Sequence, residues 1–347
     1  MSTLLARRRG LVAVVSLALL TGGCANGDDR PQSMLAPEGP IARQLDVLWD
    51  FTFAIAAVFF FLVLGLVLWV AIRYRRRSDD DNPKQIHGNM AMEIGWTAAP
   101  ALLLAGLGVF TVINLVDLDR IPKGPDVLTV EVIGHQWWWE YQYPKAGIVT
   151  ANELHIPAEK KIDLRVTATD VIHSFWPPKL AAKIDAVPGR INHMVIEADA
   201  DDVGKTFVGQ CMEYCGLSHA NMRLKVVVHD DASFADWQRN QARKAVLPAP
   251  GAPGATGAEL FRAKGCGGCH TVKGYTAGQV GPDLTHFMDR KVFAGAIFPN
   301  ELDALRTWLR DPPKAKPMNP DKGLGMPNLG LTEAEINDLI AFLHTLK

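Results

Sequence analysis

Two long runs without a single charged residue, Phe51 to Ile72 and Trp96 to Val116, dominate the first third of the chain. Each is about as long as the ~20 residues an α-helix needs to cross a bilayer core. Clustered arginines (Arg73, Arg75, Arg76, Arg77) stand between them, followed by an acidic run and Lys84. Arginines directly after a span mark the cytoplasmic side. The pattern therefore predicts a helical hairpin with both ends outside, and it puts everything after Val116 on the extracytoplasmic face. Trp49 and Trp69 sit near the span ends, where amphipathic rings anchor at the interface. A buried hairpin of a soluble protein is the competing reading, and uncharged runs of this length argue against it.

The N-terminus agrees with export. Arg7, Arg8 and Arg9 precede an apolar stretch from Leu11 to Leu20, then Thr-Gly-Gly-Cys-Ala, the order of a signal peptide. Cys24 is either a lipid-modified first residue or lost by cleavage after Ala25. The expected layout is a leader over 1–25, an extracytoplasmic segment over 26–48, spans over 49–73 and 93–117, and a cytoplasmic loop over 74–92. The 347 residues leave room for two further domains, and a net charge of −1 gives no field suited to nucleic acid.

From Val127 to about His229 the chain changes to short alternating runs: 127–133, 162–167, 193–196, 206–209 and 223–228. Period-two alternation between Pro, Gly and Asp clusters predicts an antiparallel β-sandwich, here over 118–235. A Pro/Ala/Gly-rich stretch, Leu247 to Gly257, marks a linker over 236–254. A compact helical domain is expected over 255–347. In its last helix Thr332 and Glu335 form a capping box, Leu331 and Ile336 a staple, and Ile336, Leu339, Ile340 and Leu343 one apolar face.

Two strings carry chemistry. Cys211-Met-Glu-Tyr-Cys-Gly-Leu-Ser-His-Ala-Asn-Met222 offers Cys211, Glu213, Cys215, His219 and Met222 within one loop. Thiolate, imidazole and thioether together favour copper. A mononuclear blue-copper site takes one cysteine, so two cysteines suggest a pair of coppers bridged by both sulfurs. That pair needs a second imidazole, and His173 sits in a loop placed to supply it. Structural zinc is the alternative, but zinc has no use for Met222. The second string, Cys266-Gly-Gly-Cys269-His270, is the attachment signal of a c-type heme. Its thiols bind the vinyl groups and its imidazole the iron. Copper and heme strings use four of the five cysteines and the leader holds Cys24, so no pair remains for a structural disulfide.

The copper string, together with His173-Ser-Phe-Trp176 and Asp185-Ala-Val-Pro-Gly-Arg190, resembles subunit II of heme-copper cytochrome c oxidases. The resemblance implies a cupredoxin-like sandwich holding the dinuclear CuA centre. Cys211 and Cys215 would bridge both metals, and His173 and His219 would each bind one. Met222 would be a weak ligand and Glu213 a backbone-carbonyl ligand, whose side chain also reaches a magnesium shared with subunit I. Gly134-His-Gln-Trp-Trp-Trp-Glu-Tyr141 resembles the family's aromatic strand, with Trp137 at the position where electrons arrive. Trp138 and Trp139 are expected to be packing residues. Glu93, in Ala91-Met-Glu-Ile-Gly-Trp-Thr-Ala-Ala-Pro100, matches the acid at the mouth of a proton path into subunit I.

The last domain resembles a class I cytochrome c, from Leu260 and Phe261 before the heme string and Gly281-Pro-Asp-Leu284 after it. That resemblance places Pro282 near the proximal His270 and a methionine opposite. Met326 stands shortly before the final helix and is the expected ligand; Met318 is the alternative. The fusion implies a caa-type bacterial oxidase, multi-pass in the cell membrane, working with subunits I and III and with an external cytochrome c or membrane donor. Oxygen would be reduced in subunit I, with protons pumped. The CuA-bearing subunit of a nitric oxide reductase is the alternative, and a copper storage or assembly protein is a third class.

Overall fold

The computed structural model describes residues 30–78, 85–125 and 127–347. The expected leader with Cys24, and the acidic run ending at Lys84, lie outside the described residues. Helix α1 spans Pro40–Arg73 and α2 spans Met90–Leu118. Most side chains of both helices are exposed, among them Phe60, Leu64, Leu104 and Ile113, and both are long and apolar enough to cross a membrane. α1 begins at Pro40, ahead of the apolar run. Proline suits the first helical turn, where its missing N–H costs nothing. The added turns attach the hairpin to the next domain. Arg43 pairs with Asp199, and Gln44 Nε2 donates to Asn114 Oδ1 (3.2 Å) and Asp117 Oδ2 (3.3 Å) on α2.

Ten strands follow: β1 (Leu128–His135), β2 (Trp138–Tyr143), β3 (Ile148–Ala151), β4 (Glu153–Pro157), β5 (Ile162–Ala168), β6 (His173–Trp176), β7 (Ile184–Ala186), β8 (Asn192–Ile196), β9 (Thr206–Cys211) and β10 (Arg223–His229). They form two five-stranded sheets, β3-β2-β1-β5-β8 and β4-β10-β9-β6-β7. Apart from Val127, all five alternating runs lie in strands, but the sandwich is not purely antiparallel. β1 pairs with β5, and β4 with β10, in parallel. Because β4 joins the opposite sheet, the chain returns to β1's side only at β5 and enters it in the same direction. Alternation fixes which face of a strand is buried and says nothing about this crossing. Trp139, Tyr141, Leu154, Leu164, Phe175 and Val226 fill the core at essentially no exposure, each worth about 1.5–3 kcal/mol relative to exposure.

Helix α3 (Asp231–Gln241) closes one edge of the sandwich, with the Asp230 carboxylate accepting from Ser233 N at 2.6 Å. It corrects the expected linker, whose first residues, 236–241, are helical. Phe234 and Trp237 pack on the sandwich core, and Trp237 stacks on His155 with centroids 4.4 Å apart. That burial holds the segment in a helix. The last domain is built on α4 (Ala255–Ala263), α5 (Leu302–Arg310) and α6 (Glu333–Leu343). The Thr332–Glu335 capping box is present, and Ile336, Leu339, Ile340 and Leu343 are buried.

Candidate copper centre and heme pocket

His173 opens β6 and Cys211 closes β9, and these strands pair, with Phe175 opposite Cys211. The two residues therefore emerge at the same end of the second sheet. The loop from Cys211 is pinned at its base: Cys211 N donates to Met222 O (2.8 Å) and Met212 N to Ser174 O (3.0 Å). Within it the sulfurs of Cys211 and Cys215 lie 3.8 Å apart. His173 Nδ1 is 3.9 Å from Cys211 Sγ, His219 Nδ1 is 3.5 Å from Cys215 Sγ, and Met222 Sδ is 3.9 Å from Cys215 Sγ. Glu213 contributes its carbonyl, 3.2 Å from Cys211 Sγ, while its side chain is exposed. All six expected donors therefore converge. Gly134 leaves the room this needs, since a Cβ there would lie 2.7 Å from His173 Cδ2.

The electrostatics suit metal-binding thiolates. A hydrogen bond from the Cys215 thiol, with further ones from His173 and backbone amides, overcomes burial and holds Cys211 well below the usual thiol range. Cys215 is correspondingly pushed up by its ionised neighbour and by burial. Burial opposes charge on His173, but Asp170 and Cys211 outweigh it and raise its pKa. Asp170 is a residue the sequence reading passed over. Its Oδ1 lies 2.8 Å from His173 Nε2, and its carboxylate accepts from Val171 N and Gln136 N, both at 2.6 Å. This fixes the imidazole with Nδ1 towards the sulfurs, the outer-shell orientation that metal-binding histidines use. Its signal was its place three residues before His173.

In the last domain His270 Nδ1 lies 2.8 Å from Pro282 O, which leaves Nε2 free for an iron. Gly281 lets the backbone come this close, because a Cβ there would lie 2.6 Å from His270 Cε1. Cys266, Cys269 and His270 line a cavity of about 510 Å³ together with Phe261 and Trp308, within the range of cofactor pockets. Thiols, imidazole and apolar walls match what a covalently attached heme requires. Both methionines line it. Met326 packs on the core of the helical domain, whereas Met318 packs against the sandwich core.

The cavity is not confined to one domain. Gln136, Trp137 and Trp138 form part of its wall. Trp137 is 3% exposed and its Nε1 donates to Cys215 O at 2.9 Å, while Gln136 Nε2 donates to the same carbonyl at 2.7 Å. Beside them Lys316, which burial pushes down to about 7, donates from Nζ to Trp137 O (2.6 Å) and Ala294 O (2.9 Å). Sequence reasoning missed Gln136 and Lys316. Gln136 adjoins Trp137, and nothing in the sequence marks Lys316. Glu93 stands at the other end of α2, in its first turn, where Oε1 accepts from Asn89 N at 3.2 Å. The structure gives it a helix-capping role there and does not bring it near the copper loop.

The fold and these two sites define a membrane-anchored electron-transfer protein with a copper-type sandwich and a cytochrome domain. Three family descriptions match successive parts of the chain: "Cytochrome C oxidase subunit II, transmembrane domain" over 32–113, "Cytochrome C oxidase subunit II, periplasmic domain" over 146–229, and "Cytochrome c" over 254–347. Cytochrome c oxidase subunit 2 of Alkalihalophilus pseudofirmus is 35% identical over 337 residues, covering 95% of either chain. That of Bacillus subtilis is 33% identical and covers 98% of either chain. The solved periplasmic domain of subunit II of cytochrome oxidase from Bradyrhizobium japonicum is 35% identical over 35% of this chain and 96% of its own, with a TM-score of 0.33. The chain belongs to the cytochrome c oxidase subunit II family. Its sandwich is of the CuA type, implying copper, and its last domain implies heme c.

Proposed function

We propose that the chain is the electron-input subunit of a proton-pumping oxidase that reduces oxygen to water. In this reading electrons pass from an external cytochrome c or membrane donor to heme c, then to CuA, then to heme a of subunit I. The observation that carries it is the shared wall: the residues of the heme string and Trp137 line one cavity, and Trp137 bonds the carbonyl of Cys215. Bound heme and a copper pair supply reversible one-electron carriers.

The chain's own residues do the rest. Cys211, Cys215, His173, His219, Met222 and the carbonyl of Glu213 would hold the copper pair. Cys266 and Cys269 would anchor the heme, and His270 and Met326 would bind its iron. Its packing within the helical core supports Met326, since Met318 is engaged with the sandwich. Trp137 conducts between the sites. The exposed Glu213 carboxylate serves a magnesium shared with subunit I, and Glu93 takes up protons at the cytoplasmic end of α2. Sandwich and heme domain lie outside the cell membrane, with subunits I and III beside the hairpin.

Optical and electron paramagnetic spectra of the purified complex test this reading. A c-type heme and an unpaired electron shared by two coppers are expected, and absence of either overturns it.

A further inference from the structure

The heme domain is fastened to the sandwich by two buried side chains of opposite type, neither of them a candidate ligand of the copper or the heme. Lys316, 3% exposed, sends Nζ to one carbonyl of each domain, Trp137 O (2.6 Å) and Ala294 O (2.9 Å). Glu153, 1% exposed on β4, accepts at Oε1 from two amides of the heme domain, Lys291 N (2.7 Å) and Val292 N (2.8 Å). Two neutral contacts also cross between the domains: Ser218 Oγ donates to Pro317 O at 2.5 Å, and Arg223 N to Gly295 O at 2.9 Å.

A desolvated polar or ionic group is tolerable only with its hydrogen bonds made, so such groups specify geometry more than they add affinity. Glu153 finds its Oε1 partners solely on the opposite domain, and Lys316 finds one of its two there. Backbone groups cannot be repositioned by changing rotamers. A slide of the heme domain by a few ångströms would strip Glu153 Oε1 of both its partners and Lys316 of one of its two.

Resting on the electron-transfer reading above, we propose that Lys316 and Glu153 are positioning residues that hold the heme domain in one pose on the copper domain. They keep Gln136 and Trp137 as a wall of the heme cavity, and with Trp137 enclosed they reserve it for the internal heme. The linker after α3 then tethers a domain whose orientation is already fixed.

The test uses the full chain in its purified complex. Hydrogen exchange at the Lys291, Val292 and Arg223 amides reads docking, and the rate of copper reduction after rapid heme reduction reads its consequence. The wild type should protect these amides strongly. Lys316→Met and Glu153→Ala should each speed exchange there by about tenfold or more, the factor that matches losing one charge-assisted hydrogen bond. Internal transfer should slow by a similar factor while heme and copper spectra stay unchanged. Glu153→Gln, which keeps the accepting oxygen, should restore both. Unprotected amides in the wild type overturn the proposal without any variant, as do unchanged exchange and transfer in both variants. Missing heme or copper signals in the wild type count instead against the electron-transfer reading.

Discussion

The indole N–H of Trp137 donates to the carbonyl oxygen of Cys215 at 2.9 Å, so a side chain in the wall of the heme cavity touches the backbone of a candidate copper ligand. Trp137→Phe keeps a ring there and removes the donor. Gln136 still bonds that carbonyl, which should preserve the copper spectrum. The lost hydrogen bond should cost about 1 kcal/mol and lower the melting midpoint of the sandwich by about 4 °C. Internal heme-to-copper transfer, followed after rapid heme reduction, should slow. An unchanged rate would remove Trp137 from the path.

Asp170 makes a different kind of contribution, because it touches the imidazole and not the sulfurs. Asp170→Asn weakens the acceptor that holds His173 Nε2 at 2.8 Å. Outer-shell changes of this kind typically cost about 10–100-fold in metal affinity. Competition with a chelator should show copper lost at correspondingly lower chelator concentration, with the c-type heme unaffected. Copper retention equal to wild type would make Asp170 a loop-folding residue only.

How legible these features were depends on what each requires of the chain. The hairpin, the five alternating strands and the Thr332 cap rest on local patterns, and all are in the structure. The copper loop packs five donors into consecutive sequence, so it was readable, and His173 was reachable through the neighbouring motif. The parallel pairings of β1 with β5 and β4 with β10 were not readable, since pairing depends on which sheet the chain crosses into. Residues 236–241 were read as linker because the two aromatics that hold α3 down, Phe234 and Trp237, act through tertiary contact. Lys316 and Glu153 were silent for the same reason. Their partners across the interface are backbone groups more than 130 residues away in the case of Glu153 and about 180 in the case of Lys316.

The two candidate methionines separate by experiment. Met326→Ala should abolish the optical signature of methionine-ligated heme and lower its potential, because methionine/histidine ligation raises it. Met318→Ala should leave that signature in place and only loosen packing against the sandwich core, where Met318 lies. The reverse pattern would assign the iron to Met318. Gly281→Ala is a control on the other face: with its Cβ 2.6 Å from His270 Cε1, it should displace the imidazole and disturb the spectrum in either case.

Acid sensitivity of the sandwich follows from a histidine pair that joins β4 to the end of β10. His155 Nδ1 and His229 Nε2 lie 2.8 Å apart, with Trp237 stacked on His155. Burial and then the neighbouring His155 push His229 down to about 4, with Asp230 pulling the other way. Burial lowers His155 as well, helped by Arg290 and opposed by Glu153 and Asp289. An unfolded histidine titrates near 6.5. Above that pH both states are neutral and the titration of the pair contributes no pH dependence. Between about 6.5 and about 4 the unfolded chain takes up protons that the folded pair refuses, so stability falls as pH falls. The unfolding midpoint, followed by tryptophan fluorescence in which Trp237 takes part, should drop steadily across that window. His229→Gln should be less stable than wild type at neutral pH and should flatten the dependence. A wild-type midpoint constant from pH 7 to pH 4.5 would show that the folded pair takes up protons as readily as the unfolded chain.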